Sequence, residues 1–312
     1  MELKNILSTA VAICAMISSI ELRAQTDSVF WFAAPEVTRS SANWDRPIVF
    51  RITAYGEPAN VVIDQPANAS FPDTLVQVPA SGTFTFDLTP WIDSIENKPA
   101  DAVLNYGLRL LSDAPVTVYY EVVSAQCDCQ TEIFALKGQT ALGPDFWIPS
   151  QNLVGNNQAF LPITNSSFDI VATENGTTVT ITPSRPLVGH PADSTFTIVL
   201  DAGQTFSAMA AGGLPGDHLN GSRVTSTAPI AITVKDDSMR STLFGTCTDL
   251  GGDQIVPVGV LGTEYIAIDG FLNGPGDQLF VMAVEDSTIV FQNEFETVTI
   301  SAGETIQLDV SD

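Results

Sequence analysis

Residues 107–118 read Gly-Leu-Arg-Leu-Leu-Ser-Asp-Ala-Pro-Val-Thr-Val, and residues 221–232 read Gly-Ser-Arg-Val-Thr-Ser-Thr-Ala-Pro-Ile-Ala-Ile. The two stretches share their glycine, arginine, serine and Ala-Pro positions at a distance of 114 residues. Proline fixes φ and pushes the residue before it into extended geometry, so we expect each proline to start a strand after a turn. The recurrence predicts that one strand-rich unit occurs twice.

A second landmark has nearly the same period. An aromatic strand pattern follows a glycine or polar start at residues 27–31, 143–147 and 262–266, with spacings of 116 and 119 residues. Solenoid repeats usually run about 20 to 50 residues, so a repeat of about 117 residues is a whole small domain. We therefore predict a first unit at residues 25–142, a second at 143–261 and a partial third at 262–312. The third unit stops before its own Ser-x-Ala-Pro, which indicates a fragment of a longer protein.

Strand signals dominate each unit. β-branched and aromatic residues alternate with polar ones, and turn clusters interrupt them at short intervals. Asn175-Gly176 between two such runs is a strong hairpin signal, because both central residues of the turn need positive φ. We predict an all-β fold of tandem antiparallel β-sandwich-like repeats, since units of this size can bury their own core. A β-propeller of four-stranded blades is the alternative.

The first 24 residues have the pattern of a signal peptide. Lys4 gives a positive start, residues 6–20 form an apolar run, and Ala24 precedes the expected cut before Gln25. The run is shorter than the roughly 20 residues that span a bilayer, which disfavours a retained anchor. Ile13 before Cys14 disfavours a lipoprotein signal. The sequence therefore predicts secretion, with no membrane span in the mature chain.

The chain is strongly acidic, with a formal net charge of −24 at pH 7. Such a field repels phosphate backbones and anionic lipids, so it disfavours nucleic-acid partners and peripheral membrane attachment. We expect an extracellular glycan or protein ligand instead. The sequence leaves the oligomeric state open.

Three cysteines remain if the signal peptide is removed: Cys127, Cys129 and Cys247. An oxidising compartment favours disulfides, but three is an odd number. A bridge from Cys127 or Cys129 to Cys247 would join the first two units. A link between Cys127 and Cys129, and no bond at all, are the alternatives.

The sequence carries no motif that indicates an enzyme. It has no Gly-x-Ser-x-Gly elbow, no His-Glu-x-x-His and no phosphate-binding glycine loop, so we predict that the chain is not catalytic. A carboxylate pair for glycoside hydrolysis stays open, because its separation exists only in the fold.

Acidic loops suggest calcium as a possible cofactor. Four aspartates stand among glycines, polar residues or a second carboxylate, a setting whose oxygens suit hard cations: Asp236, Asp237, Asp253 and Asp277. Solvated turns between strands are the simpler interpretation. Trp44 lies in the polar loop of residues 41–47 and is the aromatic residue that we expect to be exposed for ligand binding.

The order of several short motifs resembles the immunoglobulin-Fc-binding-protein N-terminal family. These motifs are residues 219–232, Cys247, residues 254–258 and residues 261–265. The resemblance is best from about residue 146 to 291, and a weaker copy covers residues 30–147. It implies a non-enzymatic secreted or cell-surface adhesion module of the kind found in Bacteroidetes, carried outside by type IX secretion.

We predict that the chain is a binding or adhesion module of a longer secreted protein. Two alternatives remain: a structural spacer that presents a C-terminal domain, and a glycan-binding accessory module of an enzyme. A binder should display a patch that combines exposed aromatic residues with polar groups, whereas a spacer should not.

Overall fold

The computed structural model of the chain describes residues 25–40, 43–124, 130–240, 248–268, 270 and 277–310. These residues form twenty β-strands and four short 3-10 helices, the longest of which is Thr89–Ser94. No helix in this described part of the chain is long and apolar enough to cross a bilayer. The all-β prediction is confirmed.

Seven of the strands β1 to β8, all except β6, form a first sandwich around one long strand. The eight strands are β1 Asp27–Phe32, β2 Ile48–Ala54, β3 Ala59–Asp64, β4 Thr74–Val78, β5 Thr83–Asp87, β6 Val103–Leu104, β7 Leu108–Val122 and β8 Glu132–Ala135. The N-terminal half of β7 pairs with β1 and β3, and its C-terminal half pairs with β2 and β8. Strands β4 and β5 extend the two resulting sheets. Their shared core includes Phe30, Phe50 and Tyr120.

The long strand bends where the sequence has Ala-Pro. Partners change between Ser112 and Val116, because Pro115 has no N–H to donate to a ladder. The Ser112 hydroxyl donates to the carbonyl of Ala114 at 2.6 Å, which supports the bend. The expectation that the proline starts a new strand after a turn is wrong, since β7 runs through it and so belongs to both sheets.

A second sandwich repeats this pairing order. Its strands are β9 Gly143–Ile148, β10 Gly155–Asn156, β11 Ser166–Ala172, β12 Thr177–Thr182, β13 Phe196–Leu200, β14 Thr205–Met209, β15 Ser222–Arg240 and β16 Thr248–Gln254. The N-terminal half of β15 pairs with β9 and β12, and its C-terminal half with β10, β11 and β16. Phe146, Phe168 and Ile232 lie in its core.

Four further strands form two separate antiparallel pairs. They are β17 Asp277–Met282, β18 Thr288–Gln292, β19 Phe295–Ile300 and β20 Thr305–Val310. Strand β17 pairs with β20 and β18 with β19. The same pairings join β2 to β5 and β3 to β4 in the first sandwich. A small buried cluster of Ala283, Val290 and Ile300, with four partly buried apolar side chains packed against it, joins the two pairs. The side chain of Gln292 also donates to the carbonyl of Asp309 at 2.8 Å.

Glycines allow successive units to meet closely. The amide of Gly107 donates to the carbonyl of Gly203 at 3.0 Å, and a Cβ on Gly107 would lie 2.6 Å from that oxygen. At the next junction, a Cβ on Gly221 would overlap the carbonyl of Gly303. Strand β6 also pairs with β14 across the first junction. The two junctions therefore use the same kind of contact.

The first unit covers the outer face of the β11–β15 sheet. Trp31 and Ala33 pack there against Val171 and Ala231. The sandwich-like prediction is confirmed, and the propeller alternative is not. The repeat length of about 117 residues and the borders after residues 142 and 261 stay predictions.

Candidate functional site

The C-terminal part of β15 carries a run of polar residues, Lys235-Asp236-Asp237-Ser238. Successive side chains of a strand point to opposite faces. Asp236 follows Ile232 and Val234 toward the core of the second sandwich, whereas Asp237 follows Lys235 toward the first unit. Two neighbouring carboxylates therefore enter two different buried environments.

Asp236 forms an ion pair with a fully buried histidine. Nδ1 of His218 lies 3.3 Å from Oδ2 of Asp236 and 2.8 Å from the carbonyl of Gln151, and its Nε2 lies 3.1 Å from Oδ1 of Asn156. Oxygen atoms face both ring nitrogens, and the side-chain amide nitrogen of Gln151 also lies 2.9 Å from Nδ1. Asp236 also accepts from the amides of Asn156 at 2.6 Å and Gln151 at 2.7 Å.

Burial raises the pKa of the Asp236 carboxyl, and the positive charge of His218 opposes that rise. The side-chain amides of Gln151 and Asn156 oppose it as well, because they donate to the charged form. The cluster is thus a buried network of hydrogen bonds around the close contact of Asp236 with His218, and it fixes the end of β15 against the loop that follows β9.

Asp237 holds a segment of the first unit. Its Oδ2 accepts from the amide of Thr38 at 2.9 Å, and its Oδ1 accepts from Nε2 of Gln130 at 3.2 Å. Burial raises the pKa of Asp237 to about 6, although Lys235 at 3.9 Å and the Thr38 amide lower it. Nζ of Lys235 donates to the carbonyl of Glu36 at 2.7 Å. Residues 36–38 are therefore tied to β15.

Glu96 holds the same segment from the other side. Its Oε1 accepts from the amide of Val37 at 3.2 Å, and its Oε2 accepts from Nζ of Lys98 at 3.0 Å. Nearly complete burial raises the pKa of Glu96 to about 8. The Asn97 side chain donates to the carbonyl of Ala34 at 2.7 Å. The approach to the Trp44 loop is thus fixed by buried polar contacts on both sides.

Thr38 and Ser238 also position a loop of the second unit. The Thr38 hydroxyl donates to the carbonyl of Pro162 at 3.2 Å, and the amide of Asn157 donates to the carbonyl of Ser238 at 2.9 Å. The loop between β10 and β11 therefore lies beside the loop that carries Trp44, even though the two belong to different units.

Apolar side chains of these two loops form what we call the loop platform: Trp44, Phe160, Leu161 and Ile163. The rings of Trp44 and Phe160 meet edge to face, with centroids 4.7 Å apart and an interplanar angle of 84°. Leu161 is 75% exposed and Ile163 is 51% exposed. Clustered exposed apolar residues of this kind mark interaction sites, and a polar network fixes the backbone beneath them.

A cavity of about 220 Å³ lies next to the Asp236 cluster. Ser166, Asp236, Met239 and Asp253 are among the residues that line it. The Ser166 hydroxyl is buried and has no hydrogen-bond partner. The cavity offers room for a small polar group beside a buried hydroxyl.

The four predicted calcium aspartates separate into different environments. Asp236 and Asp237 enter the networks above, Asp253 forms an ion pair with Lys137, and Asp277 accepts from the amide of Gly270 at 2.6 Å. Among the described residues, no three His, Cys, Asp or Glu side chains are grouped as metal ligands. Calcium binding stays a prediction that this geometry does not support.

The other predicted site residues are Trp44 and three cysteines. Trp44 lies half-buried in the platform with one edge against Phe160, rather than as a free flat face. Cys127, Cys129 and Cys247 lie outside the described residues, as does the predicted signal peptide at residues 1–24.

Sequence reasoning missed Phe160, Leu161, Ile163 and the ion pair of His218 with Asp236. One signal was available, because residues 159–163 place Ala-Phe-Leu-Pro-Ile between polar residues, an apolar run with no strand alternation. The pairing of His218 with Asp236 had no local signal, since the two residues meet only in the folded sandwich.

The chain is an all-β, sandwich-like module with exposed apolar side chains on two neighbouring loops. The family model described as IgGFc binding protein matches residues 131–312, and the chain belongs to that family. The match includes β15, β16 and the platform residues of the second unit. The family is one of non-enzymatic binding modules.

Comparison with other proteins adds little. No curated protein matches the chain. The crystal structure of PBSX exported protein XepA is 11% identical, with 67% of this chain and 81% of that chain covered and a TM-score of 0.18. A calcium-binding mutant of Bacteroides uniformis beta-glucuronidase 2 is 10% identical, with 83% and 27% covered and a TM-score of 0.16. At these TM-scores neither likeness supports a conclusion.

Proposed function

We propose that the chain is a non-catalytic adhesion module of a secreted or cell-surface protein, and that it binds an extracellular protein through the loop platform. The observation that carries this proposal is the exposure of Leu161 and Ile163 beside the Trp44–Phe160 pair, over a buried polar network. Membership of a binding family supports it.

The platform suits a protein ligand better than a small molecule. Its apolar side chains stand on the outside of two loops, so a broad partner surface can cover them. Buried contacts of Thr38, Asp237 and Ser238 hold the backbone of both loops. Binding on such a site orders little new chain, which lowers the entropic cost of association.

The net charge of −24 makes some partner surfaces more favourable than others. Long-range attraction speeds encounter with a surface of opposite charge, so a ligand with a basic patch around an apolar centre fits this chain best. The predicted signal peptide at residues 1–24 supports placement outside the cell, and we propose the type IX route of Bacteroidetes for it. Any bridge among Cys127, Cys129 and Cys247 would then form in an oxidising compartment.

The proposal is tested with residues 25–312 on an array of host proteins and glycans, with and without calcium. The family description makes the immunoglobulin G Fc fragment the first probe. We expect saturable binding to a protein, which Trp44→Ala weakens and Leu161→Asp weakens more. Leu75→Asp is the matched control, because Leu75 is 62% exposed on β4.

Three results would contradict the proposal in different ways. Equal losses from Leu161→Asp and Leu75→Asp would move the site away from the platform. Binding only to glycans would favour the accessory module of an enzyme. No binding to any protein or glycan of the array, with an unchanged melting temperature, would favour a spacer.

A further inference from the structure

The first sandwich fills one part of its core with aromatic rings. Phe32, Tyr120 and Phe134 lie on β1, β7 and β8, and their ring centroids are 4.8 to 6.1 Å apart. All three residues are buried members of the same apolar core. Because protein interiors are close-packed, these rings occupy the space between the strands that carry them.

The second sandwich has smaller or charged residues at the same three places. The strand registers, counted from the prolines of β7 and β15, give three equivalent pairs: Phe32 and Ile148, Tyr120 and Val234, and Phe134 and Asp253. The three residues of the second sandwich all line the cavity of about 220 Å³. A smaller side chain in the place of a buried ring leaves a cavity when the backbone keeps its course. The cavity is therefore the space that aromatic rings fill in the first sandwich.

Two further differences between the sandwiches make this cavity polar on one side. Ile48 and Val122 pair across β2 and β7 and lie in the apolar core of the first sandwich. Ser166 and Asp236 pair at the equivalent place of the second sandwich, and both line the cavity. Ser166 is 2% exposed, and its hydroxyl has no hydrogen-bond partner among the described residues. A buried hydroxyl without a partner costs stability, so a ligand that reaches it gains a favourable contact.

The carboxylates at the cavity wall are acceptors, and they specify a ligand that donates. The side chain of Asp236 is 12% exposed, and that of Asp253 is 50% exposed beside Lys137. Lys235 also lines the cavity, but its Nζ donates to a backbone carbonyl of the first unit on the other face of β15. The remaining wall includes the apolar side chains of Leu219 and Met239.

We propose that this cavity binds a short aliphatic chain that ends in an ammonium group. The ammonium group donates to Asp236 and Ser166, and the aliphatic part packs against Ile148, Leu219 and Met239. Small-molecule sites have this composition, an apolar wall with a few placed polar groups. A free small amine and a lysine side chain of a partner protein share this chemistry. The net charge of −24 attracts both.

The test titrates residues 25–312 with butylammonium in a calorimeter. We expect one saturable site, and we expect 1-butanol to bind at least about tenfold more weakly, because it lacks the charge-assisted hydrogen bond to Asp236. Ser166→Ala should weaken butylammonium binding by about threefold, as the loss of one hydrogen bond does. Equal affinities for the amine and the alcohol would overturn the proposal.

Val234→Phe tests where the amine binds. It places a ring where the first unit has Tyr120, and Val234 is half-buried at the cavity wall, so we expect the ring to fill the cavity and to abolish binding. Val199→Phe on β13 is the matched control, because Val199 is 59% exposed and lies outside the cavity lining. Unchanged binding in Val234→Phe contradicts the proposal. If this variant does not fold, unchanged affinity in Ser166→Ala contradicts it instead.

A blocked lysine separates the two sources of the ammonium group. Nα-acetyl-lysine-N-methylamide carries the butylammonium chain on a peptide backbone. Comparable affinity for both probes supports a lysine of a partner protein, whereas binding of butylammonium alone supports a free amine. No saturable binding of either probe overturns the proposal. Neither probe has a protein surface that could cover the loop platform, so failure here and failure of the proposed function are distinguishable.

Discussion

The long strands of the two complete sandwiches share a path but end in different residues. Counted from Pro115 and Pro229, Val122 and Val123 of the first unit stand where the second has Asp236 and Asp237. Val122 is 1% exposed in an apolar core. The fold therefore needs no carboxylate at this place, and the acids of β15 serve the junction and the platform.

The outer faces of the corresponding sheets differ in the same way. In the first unit Arg51 and Glu121 form a partly exposed ion pair. Thr233 of β15, four residues after Pro229, pairs with Asp169. Lys235, six residues after Pro229, takes the place of Glu121 of the first unit. Asp169 and Lys235 are buried, because the first unit covers this face. The same fold therefore has an open face in the first unit and a covered polar face in the second.

We expect the largest effect on stability when Asp236 of the second unit is replaced by valine, the residue at the equivalent position of the first unit. Asp236→Val leaves the buried His218 without its carboxylate, and we expect unfolding to become easier by about 3–5 kcal/mol in urea titrations. Val122→Ile is the matched control at the equivalent apolar position.

The double variant Asp236→Val with His218→Leu tests the cause. It removes both charges, and a buried ion pair replaced by apolar residues is often close to neutral. We expect most of the lost stability to return. Additive losses would show that the ion pair is not the reason for the effect of Asp236→Val.

The covered face should give a pH dependence that the open face lacks. Burial raises the pKa of Asp169 from 3.8 to about 7. Between these values the folded protein holds a proton that the unfolded chain has lost. Stability from this group is therefore present below about pH 4 and is lost as the pH rises through 7, by at most about 1.4 kcal/mol per pH unit.

Asp169→Asn should remove this part of the slope in unfolding titrations between pH 4 and 8. The exposed Asp73→Asn is the control and should leave the slope unchanged. The same slope in Asp169→Asn and in the wild type would contradict the assignment to Asp169.

The junction itself should be sensitive to a single methyl group. A Cβ on Gly107 would lie 2.6 Å from both the Gly203 carbonyl and a methyl group of Val171. We expect Gly107→Ala to cost about 1–3 kcal/mol in thermal unfolding, as overpacking does. Gly216→Ala is the matched control, since nothing lies within 4 Å of its added carbon. Equal effects would mean that the junction is not tight.

The smallest effect should come from the open face. Arg51 is 40% exposed and Glu121 is 20% exposed, so solvent screens their ion pair. We expect Arg51→Ala to change the free energy of unfolding by less than about 1 kcal/mol in urea. A larger loss would show that the face of the first unit is also covered.

The sequence predicts the strand-rich units because the signals are local. Alternation depends on neighbouring residues alone. The hairpin predicted at Asn175-Gly176 is wrong, because β11 pairs with β14 and β15 and β12 pairs with β13 and β15, and only Gly176 of the two turn residues has positive φ. The platform could not be predicted in the same way, since Trp44 and Phe160 meet only when two units dock. Asp236 and Asp237 resemble a solvated acidic turn in sequence, and their burial depends on the first unit and on His218.

Hydrogen exchange with and without the bound protein ligand tests the platform most directly. We predict added protection at residues 157–163 and around Trp44, with no change in β4 or β13. Protection confined to β4, β13 or other exposed edges, with these two loops unchanged, would contradict the assignment of binding to the loop platform.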